Sequence, residues 1–328
     1  MIISRTPFRI SFFGGGTDYP AWYKENKGAV LATTINKYCY INCRYLPPFF
    51  EHKHRIVYSL IESVKNTSEI RHPAVRACLK FMKINDGVEI HHDGDLPARS
   101  GLGSSSAFTV GLLNTLYALK GQMATKRQLA HNAIYVEQEL IKENVGCQDQ
   151  TLASFGGFNR IEFGGDHHTH VKHITIGQNK ISELQSYLML FFTGLSRTAS
   201  DVAAEQINNT PKKKKELESM YQMVDEAIDI LNGKKIEDFG KLLHESWKVK
   251  KSLSRKISSE HIDDIYDTAK KYGAIGGKLL GAGGGGFILL FAPPQMQPKI
   301  KEKLKNLLWV PFSFENLGSQ IIFYQPQS

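Results

Sequence analysis

Three glycine-rich segments of the chain carry the residue types that could bind a phosphate group. They are Phe12–Pro20, Asp95–Ala107 and Lys278–Phe287. In the second segment, glycines that let the backbone approach a ligand closely are followed by Ser104–Ser106. These serines open a predicted helix, whose free N–H groups and positive dipole end attract anions. The segment therefore predicts a phosphate site, although a capped helix after an ordinary loop would have the same sequence pattern.

Two familiar phosphate-binding motifs do not account for these segments. The Walker pattern GxxxxGK[ST] does not occur in the sequence. The dinucleotide-binding pattern GxGxxG fits residues 281–286 loosely, but an apolar strand follows there instead of a helix. The phosphate site predicted here is therefore of another kind.

Glu137 is the first of two carboxylates that could do chemistry. It lies on a predicted helix, and at about 100° per residue it falls inside the apolar arc of that helix. The arc is defined by Leu129, Ala133, Val136 and Leu140. A carboxylate on a buried face needs a partner or a cation, so an internal salt bridge and a functional role both stay open.

Asp149 is the second carboxylate, and it follows in the loop 144–150. An isolated loop aspartate is usually a helix cap or a turn residue. From the residues alone, the sequence does not decide between such a role and a catalytic one.

The elements that would position these residues alternate between strands and helices in both halves of the chain. We predict strands at Tyr38–Tyr45, Val88–His92, Tyr187–Thr193 and Phe287–Phe291. We predict helices at Ala107–Leu119 (capped by Ser104–Ser106), Thr125–Lys142, Lys214–Leu231 and Ile236–Leu253, with a turn at Gly233. This alternation indicates a mixed α/β or α+β protein, and we place a boundary between domains 1–185 and 186–328.

The charge and composition of the chain disfavour nucleic-acid binding and membrane functions. The 328 residues carry a formal net charge of +9, which suits a protein that holds anionic small molecules. Nucleic-acid binding is disfavoured, because the only dense basic run is Lys212–Lys215 and no aromatic residues interleave it. The four cysteines form no CxxC pair, the N-terminus has no signal-peptide core, and the apolar runs are too short to span a membrane. We expect a cytoplasmic protein without membrane contact.

Taken together and in this order, the three segments resemble the motifs of the GHMP kinases, the superfamily of galactokinase, homoserine kinase and mevalonate kinase. The segment 97–107 is similar to the nucleotide-phosphate motif of that family almost position for position, and the resemblance spans residues 5 to about 291. It implies an α+β fold of two domains with the active site between them. The N-terminal domain would be ribosomal-protein-like with a left-handed βαβ unit, and the C-terminal domain would be ferredoxin-like. The implied cofactors are ATP and Mg²⁺.

The same resemblance implies roles for individual residues. The nucleotide phosphates would be bound by Pro97, Ser100, Gly101, Gly103, Ser104, Ser105 and Ser106. Mg²⁺ would be held by Glu137 with Ser104 or Ser105. The sugar would contact Gly15, Gly16, Thr17, Asp18, Gly146, Gly283 and Gly284. Asp149 would be the catalytic carboxylate, with Arg9 beside it. A neighbouring cation makes Asp149 a weaker base, so it either orients the hydroxyl or removes its proton, and both roles stay open.

The first segment indicates a sugar as the substrate. Its Thr17–Tyr19 triplet matches galactokinase, whereas homoserine and mevalonate kinases lack it. Gly14–Gly16 replaces the usual Gly-Glu-His of galactokinase, which suggests a bulkier or differently placed ligand.

Within the superfamily, the segments Phe12–Pro20 and Thr193–Arg197 are most similar to the D-glycero-D-manno-heptose 7-phosphate kinases. That resemblance implies phosphorylation of the anomeric hydroxyl to give the 1,7-bisphosphate, towards nucleotide-activated heptose for surface polysaccharide. A sugar phosphate needs a cationic clamp, for which Arg197 is the candidate; Arg99 and Lys172 are more typical of surface cations.

Other functions stay open at this point. A neutral-sugar kinase related to fucokinase or galactokinase would share the same motifs. A non-catalytic sugar sensor is disfavoured because Glu137 and Asp149 are both present. A homodimer is compatible with the sequence.

Overall fold

The computed structural model of the protein describes residues 1–98, 100–164, 169–194, 199–233 and 235–325. Its strands are β1 (Ile2–Phe13), β2 (Gly28–Tyr45), β3 (His54–Val57), β4 (Ile61–Val64), β5 (Val88–Gly94), β6 (Phe158–Phe163), β7 (His170–His173), β8 (Leu188–Phe192), β9 (Gly276–Leu279), β10 (Phe287–Phe291), β11 (Leu308–Trp309), β12 (Phe314–Glu315) and β13 (Gln320–Tyr324). Its α-helices are α1 (Pro20–Tyr23), α2 (Pro73–Phe81), α3 (Ser104–Leu119), α4 (Lys126–Tyr135), α5 (Gln148–Phe155), α6 (Gln178–Ser186), α7 (Ala199–Asn209), α8 (Lys214–Gly233), α9 (Ile236–Ser252), α10 (Glu260–Lys271) and α11 (Gln297–Lys303). A π-helical turn lies at Val136–Leu140, and 3-10 turns lie at Thr67–Glu69, Thr210–Lys212 and Pro294–Met296.

The larger sheet is organised around β2, a long strand whose two parts pair with different partners. Among the described strands, nine form this sheet, in the main order β13-β1-β2-β5-β3-β4, with β6, β7 and β12 joined to it through β2. Residues 28–33 of β2 pair with β6, and residues 39–45 pair with β5. Helices α3 and α5 pack against β1 and β2, which brings the starts of both helices towards the middle of β1.

The smaller sheet has the order β11-β8-β10-β9 and is antiparallel. Its central strands are buried apolar runs, as predicted: Phe287–Phe291 matches β10, and β8 lies within the predicted Tyr187–Thr193. Helix α9 packs on β9, while α8 and α9 also contact β1 of the larger sheet. These two helices therefore join the two sheets. Their predicted extents are confirmed, except that Gly233 ends α8 instead of lying in a turn beyond it.

Two predicted helix ends need correction. Helix α3 begins at Ser104, so the serines form its first turn and Gly103, with φ of 76°, is the N-cap. The predicted single helix Thr125–Lys142 is instead α4 followed by the π-helical turn. Thr125 does cap α4, because its hydroxyl accepts a hydrogen bond from the backbone N–H of Gln128. The extra residue in the π-helical turn shifts the facing of the side chains that follow, and such turns are frequent at functional sites.

The C-terminal strands return to the larger sheet. β13 pairs with the outer edge of β1, and β12 pairs with β2 beside the point where β6 ends. The division between 1–185 and 186–328 stays a prediction, but these pairings place residues 314–324 in the same sheet as the N-terminal strands. Without β13, the outer-edge backbone groups of residues 2–5 of β1 would have no partner strand.

All four cysteines lie in the described part of the chain and are buried free thiols. Separately, none of the described helices combines the length and apolar character that a membrane span requires.

The second and third glycine-rich segments touch backbone to backbone. A Cβ added to Gly101 would lie 2.5 Å from the carbonyl oxygen of Leu280, and one on Gly286 would lie 2.2 Å from that of Ser100. Gly101 also has a φ of 84°, in the left-handed region. Only residues without a side chain allow the two segments to approach so closely.

Replacing Gly101 with Ala is expected to lower the free energy of unfolding by at least about 2 kcal/mol. A left-handed conformation costs an L-residue about 1–2 kcal/mol, and the contact with Leu280 adds to it. Gly177→Ala is the matched control, because Gly177 has a φ of −60° and an added Cβ would meet nothing within 4 Å. Urea unfolding of both variants checks this; equal loss of stability in the two would contradict the close contact.

Candidate active site

An ion pair between the buried Arg9 and the half-buried Asp149 lies at the centre of the site. Arg9 comes from β1 and Asp149 from the first turn of α5. The guanidinium donates Nε to Oδ1 at 2.7 Å and Nη2 to Oδ2 at 2.8 Å, and its Nη1 donates to the Gly101 carbonyl at 2.7 Å. The backbone N–H of Arg9 donates to the carbonyl of Leu102 at 3.0 Å. Arg9 therefore fixes the carboxylate and the second glycine-rich segment together.

Asp18 is a second, deeply buried carboxylate of the same cavity. Its Oδ1 accepts a hydrogen bond from the backbone N–H of Gly16 at 2.9 Å. Burial raises the pKa of Asp18, and the Gly16 hydrogen bond partly opposes this rise. Gly146 closes the other side, since a Cβ there would lie 1.9 Å from Asp18 Oδ2. The structure thus brings together three of the residues that were predicted to contact the sugar, namely Gly16, Asp18 and Gly146.

Glu137 faces into the structure from the π-helical turn. Its Oε2 accepts hydrogen bonds from the Ser106 hydroxyl at 2.9 Å and from the amide of Gln150. Its other oxygen, Oε1, is buried and has no hydrogen-bond partner. Burial raises the pKa of Glu137 to about 7, and the polar side chains of Thr109, Gln150 and Ser106 around it oppose that rise. Among the described residues Glu137 forms no salt bridge, so that alternative is not supported there.

The start of α3 forms one wall of the cavity. Gly101 and Gly103 both have positive φ, and Gly103 lies against Asp149: a Cβ added there would lie 3.3 Å from Asp149 Oδ2. Ser104 and Ser105 line the cavity next to it. The positive end of the α3 dipole therefore lies at this part of the cavity, with Asp149 beside it.

The cavity has a volume of about 830 Å³ and extends from Asp18 to an aromatic end. At that end the rings of His72 and Phe108 stack at 4.6 Å, and His92 meets Phe108 edge-on at 5.1 Å. On the opposite side, Gln206 of α7 borders the cavity and donates to the carbonyl of Ala282 at 2.6 Å.

Several predicted site residues lie outside the cavity lining. Thr17 is fully buried, and its hydroxyl bonds to the backbone of Gly14 and Ala29, so it shapes the turn instead. Gly283 and Gly284 pack against Ile257.

The other predicted binding residues lie beside the cavity, in the interior, on the surface or outside the described residues. Pro97 is exposed beside the cavity, whereas Ser100 is a buried residue of the second glycine-rich segment. Lys172 pairs with Glu162 on the surface at 3.0 Å, as expected of a surface cation. Arg99 and Arg197 lie outside the described residues.

Two lysines of the cavity were missed by the sequence analysis. Lys250 of α9 and Lys278 of β9 are both buried and both line the cavity. A helical projection would have found Lys250, because it follows Leu243 and Trp247 at i+7 and i+3 on the apolar face. Lys278 stands alone in an apolar strand, which was a signal as well.

Comparison with known proteins identifies the family. The family models described as GHMP kinases N terminal domain and GHMP kinases C terminal match residues 70–157 and 223–308. D-glycero-alpha-D-manno-heptose 7-phosphate kinase of Campylobacter jejuni is 30% identical over 319 residues, which are 93% of this chain and 93% of that protein. The bifunctional fucokinase/GDP-fucose pyrophosphorylase of Arabidopsis thaliana is 26% identical over 92% of this chain, which spans 30% of that longer protein.

A solved structure of similar fold is also described as a heptose phosphate kinase. The crystal structure of a D-glycero-D-manno-heptose 1-phosphate kinase from Bacteroides thetaiotaomicron superimposes with a TM-score of 0.78 at 23% identity, over 98% of this chain and 99% of that one. The predicted family and its two-domain α+β fold are confirmed. The chain belongs to the GHMP kinase family and is a sugar kinase.

Proposed function

We propose that the protein transfers the γ-phosphate of ATP to the anomeric hydroxyl of D-glycero-D-manno-heptose 7-phosphate. The observation that carries the proposal is the position of Asp149. Arg9 holds its carboxylate beside the start of α3, and its charge contributes to the raised pKa of Asp18. The choice of a heptose phosphate rests on the names of the C. jejuni and B. thetaiotaomicron relatives.

Asp149 and Arg9 would act on the acceptor. In the proposed reaction the anomeric oxygen attacks the γ-phosphorus, the bond to the β,γ-bridging oxygen breaks, and ADP leaves. The hydroxyl proton passes to the Asp149 carboxylate. Because phosphoryl transfer has a loose transition state, this proton leaves late and alignment matters most. Arg9 contributes that alignment, since it holds both oxygens of Asp149.

The start of α3 and the aromatic end of the cavity would hold the donor. The N–H groups and hydroxyls near Ser104 suit the triphosphate. The base would lie among His72, His92 and Phe108, whose flat rings favour stacking with another ring.

Glu137, Ser104 and Ser105 would hold Mg²⁺. The fit rests on Glu137 Oε1, which is buried and has no hydrogen-bond partner, because Mg²⁺ takes carboxylate oxygens and keeps phosphate oxygens as further ligands. When bound, Mg²⁺ would neutralise charge on the transferred phosphate.

Asp149→Asn is expected to lower kcat/KM by about 1,000-fold, because the amide neither accepts the proton nor pairs with Arg9 as a carboxylate does. ADP release is measured with ATP and Mg²⁺ across neutral hexoses, unphosphorylated heptose and heptose 7-phosphate. Asp225→Asn is the matched control, since Asp225 is an exposed partner of Arg160. Turnover confined to a neutral sugar would replace the proposed substrate. Full activity of Asp149→Asn would remove Asp149 from the mechanism.

Gly146→Ala is expected to raise the KM for the sugar by about tenfold or more, because the new methyl group displaces Asp18. The KM for ATP should change little. Gly233→Ala is the control, since an added Cβ there meets nothing within 4 Å. An unchanged sugar KM in Gly146→Ala would show that Asp18 does not bind the sugar.

The Mg²⁺ concentration for half-maximal activity is expected to rise as the pH falls from 8 to 6. Burial raises the pKa of Glu137 to about 7, so the carboxyl is ionised above that pH and neutral below it. A neutral carboxyl does not bind the metal, so each pH unit below the pKa should raise the requirement by up to about tenfold. Activity is titrated with free Mg²⁺ at saturating ATP. Glu137→Gln should need more Mg²⁺ at every pH, and an equal pH response in that variant would exclude Glu137 as the cause.

A further inference from the structure

Lys250 and Lys278 are two buried cations for which the described residues provide no ion pair. They are 4% and 1% exposed. The ammonium of Lys278 donates to the Phe12 carbonyl at 2.8 Å, and that of Lys250 donates to the Gly281 carbonyl. A buried charge is costly unless it is paired, and one carbonyl oxygen does not satisfy an ammonium group with three donors. Both side chains also line the cavity, so their remaining donors can be reached by a ligand.

The charges around the two lysines leave a positive surplus. The groups that act on Lys250 are Arg9 of β1, Asp18 of the first glycine-rich segment and Asp149 of α5, and those that act on Lys278 are Lys250, Arg9 and Asp18. Arg9 already takes both oxygens of Asp149. Asp18 is then one carboxylate for two ammonium groups. Burial, followed by the charge of Arg9, lowers the pKa of Lys250 to about 8. Burial, followed by the charge of Lys250, lowers the pKa of Lys278 well below its usual range.

A neutral donor faces the same part of the cavity. The hydroxyl of Ser11 lines the cavity, is buried and has no hydrogen-bond partner. It lies next to Gly15, where an added Cβ would be 3.8 Å from Ser11 Oγ. Gly15 thus leaves space in front of an unsatisfied hydroxyl, which opens into the same cavity as the two lysines.

We propose that Lys250 and Lys278, with Ser11, form the subsite for the phosphate group that the acceptor sugar already carries. The inference rests on the proposed function and names the part of the site that recognises the phosphorylated acceptor. Two ammonium groups and a hydroxyl match a phosphate dianion in charge and in hydrogen bonding.

The surroundings favour the phosphate of the acceptor over that of ATP. The carboxylates near the lysines are Asp18 and Asp149, and Glu137 is not among the groups that act on either lysine. Lys278 is bonded to β1 just before the segment that carries Gly15 and Asp18. In the proposed function the triphosphate of the donor is held at the start of α3, on the side of Glu137.

Lys250→Met and Lys278→Met test the subsite, with Lys172→Met as the matched control on the surface. Each cavity variant is expected to lower kcat/KM for heptose 7-phosphate by about 100-fold. The kcat/KM for unphosphorylated heptose should change by no more than about threefold, and the KM for ATP should also change by no more than about threefold. The quantity to follow is the ratio of kcat/KM for heptose 7-phosphate to kcat/KM for unphosphorylated heptose. An equal loss with both sugars, or a loss expressed in the KM for ATP, would overturn the proposal.

A calorimetric experiment on the unaltered protein avoids any effect of the variants on folding. Binding of heptose 7-phosphate and of unphosphorylated heptose is compared between pH 7.5 and 9.5, in buffers of different ionisation enthalpy. A phosphate between the lysines favours their charged forms, so the phosphorylated sugar should take up protons on binding and lose its advantage as the pH rises above the pKa of Lys250, about 8.

The outcomes separate the subsite from the proposed reaction. Tighter binding of heptose 7-phosphate with proton uptake, but no transfer of phosphate to it, would contradict the proposed function and support the subsite. Phosphorylation of heptose 7-phosphate without tighter binding or proton uptake would support the reaction and overturn the subsite.

Discussion

The site depends on a contact between two stretches of backbone from distant parts of the chain. Gly101 lies against Leu280 and Gly281, and Gly286 lies against Ser100, at distances that leave no space for a Cβ. This contact joins the segment that opens α3 to the segment that precedes β10. Because Arg9 also bonds to the Gly101 carbonyl, the contact fixes the clamp on Asp149 as well. The glycines are therefore a condition for bringing the two sheets to one cavity.

The cavity collects an unusual density of buried charge. Arg9 neutralises Asp149, Glu137 is held by neutral donors, and Lys250 and Lys278 approach Asp18. Burial raises the pKa of Glu137 and lowers the pKa of Lys250, so both groups are less charged before a ligand arrives. Phosphates and a metal ion would supply the missing counter-charges. The free protein keeps a site that is electrostatically incomplete, and its ligands complete it.

The sequence predicted the parts of the structure that local patterns determine. Apolar runs gave β8 and β10, and the inward position of Glu137 followed from the period of its helix. The π-helical turn could not be predicted, since one extra residue per turn leaves no mark on composition. Strands β12 and β13 were missed because β12 has only two residues and both strands are stabilised by pairing with remote strands. Lys250 was predictable by the projection that found Glu137, but positive charges on helices are usually taken as exposed.

The return of the last strands to the first sheet has a consequence for biosynthesis. β1 leaves the ribosome long before β13, which pairs with the outer edge of β1 at residues 2–5. At typical elongation rates this interval is on the order of tens of seconds. During it, β1 exposes a row of unpaired backbone groups next to newly made apolar strands. The nascent chain thus has an increased tendency to pair with other chains until β13 has been made, and a ribosome stalled before β13 would hold it in that state.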